Sequence, residues 1–398
     1  MEDMKKTITI FSGLAKLNKN IVGTAVVYYQ LAYFLNKEKM RVNLVVPEKS
    51  DNEIAGVNYF IYDQVNNKKI INQSQIVVFG SYPPLEPLAY AAKKKKNIIT
   101  YMWSIAPLGS LEFRDFSDFE KRVKLHNYII NSYNLSLELS NKIFCRDAHA
   151  RDLILGSLIS LHRAGILNYQ DRSFKHLLGI APFGLDAIKP KHLKNIYRDV
   201  IPGITKKDFI LLWNGGVWNR TDALGMVEIM KYIWQKDKRV KLIFQGFHNP
   251  HKIYSPEAKQ TKQSVLKHKL LNKNVFIPDK WIPYDERGDY LAESDAGIAL
   301  SPDIPDANFL IKTRYYDYLW AELPIILNNY DTFAAEVEKN KLGIVLRDNN
   351  YKHQAAEIID FSRNKKARRQ IKENIREYKR GLSWQQSLKP VIDYCRQS

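Results

Sequence analysis

The chain has 398 residues, of which 45% are hydrophobic and 26% are charged. This length exceeds what one ordinary hydrophobic core holds, and a composition with only 18 glycines and 16 prolines excludes a long disordered chain. A globular protein of two domains is therefore predicted.

The two cysteines, Cys145 and Cys395, are too few for a disulfide scaffold or a four-ligand metal site, and they are typical of a reducing cytoplasm. The N-terminal segment lacks a long apolar stretch, and no apolar run reaches membrane-spanning length. We therefore expect a cytoplasmic protein that is neither secreted through a signal peptide nor transmembrane.

The charge balance is strongly basic, since 61 Lys and Arg against 42 Asp and Glu give a net charge of +19. Such a balance predicts an anionic partner, which could be nucleic acid, an acidic membrane surface or a phosphorylated substrate. Solvated helix faces also account for part of the charge, as in the four lysines at 93–96 and the basic run at 363–372. No segment resembles an RNA-recognition sheet, a zinc finger or a helix-turn-helix, so nucleic acid is not expected as a partner.

Short apolar runs alternate with amphipathic helical stretches along the whole chain, which favours an α/β architecture with parallel sheets. The strands predicted in the first half are 7–11, 41–46, 75–80, 97–102 and 142–145, with helices between them such as those from Thr24 and from Ala148. The strands predicted in the second half are 208–216, 239–246, 273–282, 296–301, 324–329 and 342–348.

Proline and glycine break this pattern between 182 and 202, which predicts an interdomain linker. The predicted domains are therefore 1–185 and 207–380, joined by a linker at 186–206 and followed by a C-terminal helix at 381–398. Two doubly wound domains with a hinge bind a ligand at the carboxyl ends of their strands, in the cleft between the domains.

The first candidate binding loop follows the strand at 7–11. Gly23 lies just before the helix that starts near Thr24, so the backbone can approach a ligand and the helix N-terminus favours an anion. The spacing is not G-x-G-x-x-G, so a dinucleotide fingerprint is absent. The alternative is that Gly23 merely turns the chain.

The second candidate loop begins where a strand ends in Asn214, Gly215 and Gly216. Paired glycines after a strand expose several backbone N–H groups, which suits a phosphate or a sugar diphosphate. A helix is predicted to start near Asp222, which is a suitable N-cap residue. Trp218, in the same loop, can face a sugar or a base.

The third candidate loop leads into a helix predicted to begin near Thr313. Lys312 and Arg314 add two positive charges to the N-terminus of this helix, which together predict a diphosphate clamp. Asp317 shares their face of the helix and can accept two ribose hydroxyls. The alternative is an internal salt bridge between Arg314 and Asp317.

Signals for other chemistries are absent from the sequence. Nine scattered histidines form no cluster with metal-ligand spacing, so no metal site is predicted. There is no G-x-S-x-G elbow, no P-loop and no kinase signature, and no general base can be identified by spacing.

Five segments, in this order along the chain, resemble retaining glycosyltransferases of the GT-B fold, in particular family-four-like bacterial enzymes. They are "CRDAHARDLILGSLISLHRAGILN", "IAPFGLD", "LLWNGGVWNRTDAL", "PYDERGDYLAESDAGIALSPD" and "KTRYYDYLWAELPII". The tail "GLSWQQSLKPVIDY" resembles the C-terminal helix that crosses back to the N-terminal domain in such enzymes. The resemblance covers nearly the whole chain and implies a fold of two Rossmann-like doubly wound domains facing a central cleft.

The resemblance also implies roles for individual residues on the donor side. Asp317 takes the place of the second glutamate of the family's E-x7-E motif, which holds the nucleotide ribose. The first glutamate, which contacts the donor sugar, is absent at the equivalent spacing, where Phe309 stands. Asp306 in the longer loop is the candidate to replace it. Lys312 and Arg314 would stabilise the leaving diphosphate.

Further implied positions are Trp281 near the base, Gly23 and Thr24 facing the diphosphate, and Glu112 near the acceptor. The implied donor side belongs to the C-terminal domain and the acceptor side to the N-terminal domain.

The function expected from the resemblance is transfer of a sugar from a nucleotide diphosphate to a cell-surface glycan or lipid-linked acceptor. Retention of configuration is expected, without a metal and without a cofactor other than the nucleotide-sugar donor. The basic surface would hold the enzyme on an anionic inner membrane leaflet. Two alternatives stay open: a nucleotide-sugar epimerase or hydrolase of the same fold, and a non-catalytic glycan-binding scaffold, which the missing first glutamate would fit.

Overall fold

The computed structural model describes residues 6–13, 15–21, 23, 25–111, 118–169, 173–248 and 255–398. Within these residues the chain forms two compact units. The first is drawn from the described residues up to Leu111, from Asp118–Gly184 and from Trp384–Ser398, and the second from those of Leu185–Ser383. Each unit is built on a parallel sheet of its own.

The described strands are β1 (Thr7–Phe11), β2 (Arg41–Val46), β3 (Asn58–Ile61), β4 (Ile76–Phe79), β5 (Asn97–Met102), β6 (Lys142–Cys145), β7 (Leu178–Ile180), β8 (Phe209–Asn214), β9 (Val240–Gln245), β10 (Val275–Phe276), β11 (Ala296–Ile298), β12 (Ile325–Asn328) and β13 (Gly343–Leu346). The described α-helices are α1 (Ala25–Lys37), α2 (Gln64–Gln73), α3 (Leu85–Lys93), α4 (Ala106–Leu111), α5 (Phe119–Leu139), α6 (Ala148–Ser160), α7 (Ala223–Lys236), α8 (Pro256–Lys267), α9 (Arg287–Ala292), α10 (Arg314–Ala321), α11 (Ala334–Lys339), α12 (Tyr351–Arg363), α13 (Lys365–Tyr378) and α14 (Trp384–Gln397).

The sheet of the first unit has the order β3-β2-β1-β4-β5-β6-β7 and is parallel throughout. Every residue of β1 and β4 is buried, because helices cover both faces of such a sheet. The predicted bounds of β1, β2, β5 and β6 are confirmed. The sequence analysis missed β3 and β7, which are short edge strands without a long apolar run.

Helix α6 begins where its sequence predicts. Asp147 adopts an extended conformation and its Oδ1 accepts a 2.7 Å hydrogen bond from the backbone N–H of Ala150. This bond satisfies one of the N–H groups that the first helical turn leaves free. The predicted helix start at Ala148 is confirmed.

The last helix, α14, belongs to the first unit. The ring of Trp384 packs on Phe183 with centroids 4.6 Å apart, and Tyr394 donates a 3.1 Å hydrogen bond to Oδ1 of Asn97. Gly184 permits this approach, because a Cβ there would lie 2.5 Å from the Cα of Trp384.

The sheet of the second unit has the order β10-β9-β8-β11-β12-β13, again parallel. From β8 the chain adds β9 and then β10 on one side of β8, and it next places β11 on the other side of β8. This reversal creates a topological switch point at β8 and β11, where ligands bind outside the carboxyl ends of the strands. The strand predicted at 273–282 is only two residues long, and Pro278, which has no N–H to donate to a ladder, follows it closely.

Helix α10 lies against this switch point. Its residues Tyr315, Tyr318 and Leu319 are buried, and the Tyr318 hydroxyl donates a 2.8 Å hydrogen bond to the carbonyl oxygen of Leu212 in β8. Thr313 is the N-cap residue, and the buried strand β12 follows the helix, as the sequence predicts.

None of the helices in the described part of the chain is long and apolar enough to cross a membrane. No group of three or more His, Cys, Asp and Glu side chains in the same residues is arranged to hold a metal ion.

Candidate functional site at the carboxyl edge of the second sheet

Two glycine turns meet at the carboxyl ends of β8 and β9. Gly215 and Gly246 both have left-handed backbone conformations, with φ of +94° and +92°. The N–H of Gly215 donates a 2.7 Å hydrogen bond to the carbonyl oxygen of Gln245. A Cβ on Gly246 would lie 3.0 Å from the Cα of Gly215, so glycine is required both by the conformation and by the close approach.

The segment after these glycines forms a compact turn before α7. The ring of Trp218 covers Gly216, where a Cβ would lie 2.6 Å from it. The Thr221 hydroxyl donates a 2.7 Å hydrogen bond to the carbonyl oxygen of Trp218. Asp222 caps α7 by accepting a 2.8 Å hydrogen bond from the N–H of Gly225, which confirms the predicted helix start. Burial raises the pKa of this Asp222 carboxyl.

Arg314 extends from the N-terminus of α10 to the loop after β8. Its Nη2 donates a 2.7 Å hydrogen bond to the carbonyl oxygen of Gly216, and its guanidinium lies 5.0 Å from the centre of the Trp213 ring. Its Nη1 is buried and has no hydrogen-bond partner in the described structure. Burial lowers the pKa of Arg314. Arg314 is therefore a buried side chain beside the glycine loop that keeps one donor unused.

Lys312 is buried beside α10 but its charge is already paired. Its Nζ donates to Oδ2 of Asp331 at 2.5 Å and also to the hydroxyl of Ser301. Burial lowers the pKa of Lys312, although the neighbouring carboxylate of Asp331 opposes this shift. The sequence analysis did not foresee Asp331, which lies 19 residues away along the chain.

Asp317 lies one turn into α10, and both of its carboxylate oxygens are engaged. Oδ1 accepts a 3.1 Å hydrogen bond from Nε of Arg287, and Oδ2 accepts a 2.9 Å hydrogen bond from Nδ2 of Asn214. No ion pair joins Arg314 and Asp317 in the part of the chain that is described, so the alternative interpretation of these two residues is wrong. Burial raises the pKa of Asp317, while the charge of Arg287 opposes the shift.

Arg287 was missed by the sequence analysis, although it lies inside one of the segments that carry the resemblance. Its guanidinium carbon lies 3.5 Å from the ring centre of Tyr284 and 4.2 Å from that of Trp320. Nη2 donates a 2.8 Å hydrogen bond to Oδ2 of Asp186, a residue of the predicted linker. The residue spacing alone gives no signal for this arrangement, because its partners lie up to 101 residues away.

Asp306 and Trp281 lie on two further loops of the same unit. Asp306 is in a short 3₁₀ helix, Pro305–Asn308, where it is 4% exposed, and its Oδ2 lies 3.5 Å from Nη1 of Arg220. The Trp281 ring packs against Gly246, since a Cβ there would lie 3.1 Å from the ring. The Nε1 of Trp281 is buried with no hydrogen-bond partner among the residues described.

Of the candidate residues predicted at Gly23, Thr24 and Glu112, the structure describes Gly23. Gly23 is exposed with φ of +52°, and a Cβ there would meet nothing within 4 Å. Its left-handed conformation is typical of a turn. Thr24 and Glu112 lie outside the described residues.

The structure thus brings Asn214, Gly215, Gly216, Arg314 and Asp317 together at one edge of the second sheet. It places Lys312 in an ion pair beside them and Asp306 beside Arg220. An unpaired buried cation, backbone groups at two glycine turns and a fixed carboxylate can together hold a phosphorylated ligand that also carries hydroxyl groups.

Comparison with known protein families gives one match, which lies in the second unit. Residues 200–378, which make up most of the second unit, match the family described as "Glycosyl transferases group 1". No curated protein sequence gave a significant match.

Three solved structures, among others, are similar to the whole chain. Sucrose-phosphate synthase from Thermosynechococcus elongatus has a TM-score of 0.65 and 12% identity, and the match covers 99% of both chains. WaaG, a glycosyltransferase involved in lipopolysaccharide biosynthesis, has a TM-score of 0.67 and 13% identity over 98% of this chain and 100% of that chain. HepE from Anabaena in complex with UDP-glucose has a TM-score of 0.66 and 10% identity, with the same coverage. At these identities the likeness shows the fold, and the predicted GT-B fold class is confirmed.

Proposed function

We propose that this chain is a glycosyltransferase that moves a sugar from a nucleotide-diphosphate donor to a cell-surface glycan or lipid-linked acceptor. The match of residues 200–378 to group 1 glycosyltransferases supports the reaction class. The observation that carries the donor class is the unpaired Nη1 of Arg314 beside the Gly215–Gly216 turn.

A diphosphate fits this place better than an uncharged ligand does. A buried guanidinium donor without a partner is costly, because a buried polar group loses its hydration and regains nothing. A phosphate oxygen would restore that hydrogen bond with the help of charge. The N-terminus of α10, where Arg314 lies, adds the positive end of the helix dipole.

The other donor groups have natural roles around this anchor. The carboxylate of Asp317 accepts the ribose hydroxyls, and Trp281 lies on the loop that meets the base. Asp306 binds the donor sugar in place of the family's first glutamate. Because HepE was solved with UDP-glucose, uridine nucleotides are the first donors to test.

The proposed mechanism is transfer with retention and without a metal. Breaking the bond between the sugar and the diphosphate leaves negative charge on the diphosphate, and Arg314 with the α10 N-terminus stabilises it. Lys312 contributes to the same positive potential, reduced by its pairing with Asp331. The protein therefore has more need of fixed positive charge than of a strong base.

We place the enzyme in the cytoplasm, bound to an anionic inner membrane leaflet. The net charge of +19 supports this, together with the exposed side chains of Lys93, Lys94 and Lys95. Flotation with vesicles of phosphatidylglycerol and phosphatidylcholine at low and high salt tests it. Binding that is lost at high salt is expected, and no binding at low salt contradicts it.

The test of the donor site is a thermal-shift screen of the wild type and Arg314→Ala against UDP, GDP, dTDP and CDP. A ligand that binds only the folded state raises the melting temperature. We expect one nucleotide to stabilise the wild type and the variant to lose the effect. NMR spectroscopy of the corresponding nucleotide sugar, incubated with and without a lipid-linked acceptor, then distinguishes transfer from epimerisation or hydrolysis, because epimers differ in their spectra although not in mass. If none of these nucleotides stabilises the wild type, the scaffold alternative replaces this proposal.

A further inference from the structure

We propose that Arg287 is a positioning residue that fixes the carboxylate of Asp317 for the ribose and so makes the site prefer ribonucleotides to deoxyribonucleotides. This inference rests on the proposed function, in which Asp317 accepts the ribose hydroxyls. It assigns Arg287 no contact with the substrate.

The guanidinium of Arg287 is held on all sides. It is stacked between the rings of Tyr284 and Trp320, at 3.5 Å and 4.2 Å from their centres. Nη1 donates a 2.8 Å hydrogen bond to the carbonyl oxygen of Tyr284, and Nη2 donates one of 2.8 Å to Asp186. The side chain is only 12% exposed, so Nε has one fixed direction, which is towards Asp317. Stacking and a planar donor fork are properties of arginine that lysine lacks.

Arg287 and Asn214 hold Asp317 from opposite oxygens. Nε of Arg287 donates a 3.1 Å hydrogen bond to Oδ1, and Nδ2 of Asn214 donates a 2.9 Å hydrogen bond to Oδ2. A carboxylate oxygen can accept two hydrogen bonds, so each oxygen keeps one acceptor position for another donor. Two neighbouring ribose hydroxyls need two acceptors in one plane, and a carboxylate fixed at both oxygens supplies them without loss of rotational entropy on binding.

Arg287 also favours the charged form of this carboxylate. Burial raises the pKa of Asp317, and the cation of Arg287 is the largest influence that opposes the shift. An ionised acceptor binds a hydroxyl more strongly than a protonated one does. Removal of Arg287 therefore weakens the acceptor as well as freeing its orientation.

A purely structural role for Arg287 is the competing explanation, because its contacts with Asp186, Tyr284 and Trp320 also anchor the segment that enters α9. Such a role predicts a loss of stability without a change in ribose preference. Arg198 is a matched control. It is a partly buried arginine of the same unit that donates to Asp295 and to the carbonyl oxygen of Glu293.

The experiment measures binding of UDP, 2′-deoxy-UDP and 3′-deoxy-UDP by calorimetry to the wild type, Arg287→Lys, Arg287→Met and Arg198→Met. If the thermal-shift screen favours GDP or CDP, that nucleotide and its deoxy forms replace the uridine series. The wild type should bind the ribonucleotide about tenfold more tightly than either deoxy form, since the deoxy forms leave an acceptor unpaired.

Arg287→Met should reduce this ratio to about one, and Arg287→Lys should give an intermediate ratio, because lysine keeps the charge but not the fixed fork. Arg198→Met should keep the ratio of the wild type. A full ratio in both folded Arg287 variants overturns the inference. A wild type that binds nucleotide without preferring ribose overturns it as well but leaves the proposed donor class intact. Failure of the wild type to bind any nucleotide refutes the proposed function and this inference together.

Discussion

The guanidinium of Arg314 joins the N-terminus of α10 to the loop after β8, where its Nη2 donates a 2.7 Å hydrogen bond to the carbonyl oxygen of Gly216. The same side chain keeps Nη1 buried and without a partner in the described part of the molecule. One half of the guanidinium therefore holds the loop, while the other half remains available to a ligand. This division of roles makes Arg314 the residue on which donor binding should depend most.

Arg314→Met should weaken nucleotide-diphosphate binding by about 10- to 150-fold, because a charge-assisted hydrogen bond contributes roughly 1.5–3 kcal/mol. Arg314→Lys should retain part of the affinity, since it keeps the charge. Calorimetric titration with the nucleotide found by thermal shift measures both. Arg347→Ala is the control, because Arg347 is an exposed arginine paired only with Glu338 in the described structure. Wild-type affinity in Arg314→Met would remove this residue from the site.

Substitution of Gly246 should damage the site through the backbone. Gly246→Ala places a Cβ at φ of +92° and 3.0 Å from the Cα of Gly215. We expect a loss of about 1–3 kcal/mol in unfolding free energy and weaker nucleotide binding. Urea unfolding and calorimetry measure the two effects.

Gly156→Ala is the matched control for this prediction. Gly156 lies inside α6, and a Cβ there meets nothing within 4 Å. The substitution should stabilise the protein by about 0.5–1 kcal/mol, because alanine loses less backbone entropy in a helix than glycine does. Equal effects of the two substitutions would contradict the geometry.

A cluster of cations should make the second unit sensitive to acid. Glu322, at the C-terminus of α10, accepts hydrogen bonds from Lys189 at 2.6 Å, Arg376 at 2.8 Å and Lys379 at 3.0 Å. Burial alone would raise the pKa of Glu322, but these three cations outweigh it and lower the pKa from 4.5 to about 2.

Because the pKa of Glu322 is lower in the folded state, its contribution to stability is present above about pH 4.5 and is lost as the pH falls towards 2. Glu322→Gln should therefore lower the unfolding free energy at pH 7 by roughly 2 kcal/mol, allowing for solvent screening of the partly exposed cations. The difference between the two proteins should shrink steadily below pH 4.5. Urea titrations at several pH values measure it, and a difference that does not depend on pH would be inconsistent with the ion cluster.

The sequence predicts the parts of this structure that depend on local patterns. The apolar runs at 7–11 and 97–102 have the bounds of β1 and β5, because a strand buried on both faces needs a continuous apolar run. Asp222 marks the start of α7 because its side chain caps the helix, and capping depends on residues close in sequence. Thr313 precedes α10 without a side-chain capping hydrogen bond.

The partners of the site residues depend on folding and escape such reasoning. Spacing places Arg314 and Asp317 on one helix face, which fits either a clamp or an internal salt bridge. The choice depends on Arg287, 30 residues from Asp317, and on the Gly216 carbonyl, 98 residues from Arg314. Similarly, nothing near Lys312 in the sequence indicates that Asp331 neutralises it.

The ion pair of Lys312 and Asp331 should matter more for folding than for donor binding. Asp331→Asn should destabilise the protein by about 3–5 kcal/mol, because the buried ammonium of Lys312 loses its counter-ion. The double variant Lys312→Met with Asp331→Asn removes both charges and should recover part of that stability. It should also bind the nucleotide within about fivefold of the wild type, since Arg314 remains. A loss as large as that of Arg314→Met would instead show that Lys312 contributes equally to the clamp.

Asp306 should affect sugar transfer without affecting nucleotide binding. It is 4% exposed, and its Oδ2 lies 3.5 Å from Nη1 of Arg220, on a loop separate from the Arg314 guanidinium. Asp306→Asn should lower the transfer rate constant by about 100-fold, the effect of removing one group that stabilises a transition state, and leave UDP affinity within about twofold.

Asp306→Glu restores the residue type of the family motif and should retain transfer. Asp303→Asn, at an exposed position three residues upstream, is the control and should match the wild type. A parallel loss of UDP affinity in Asp306→Asn would place this carboxylate at the nucleotide instead of the sugar.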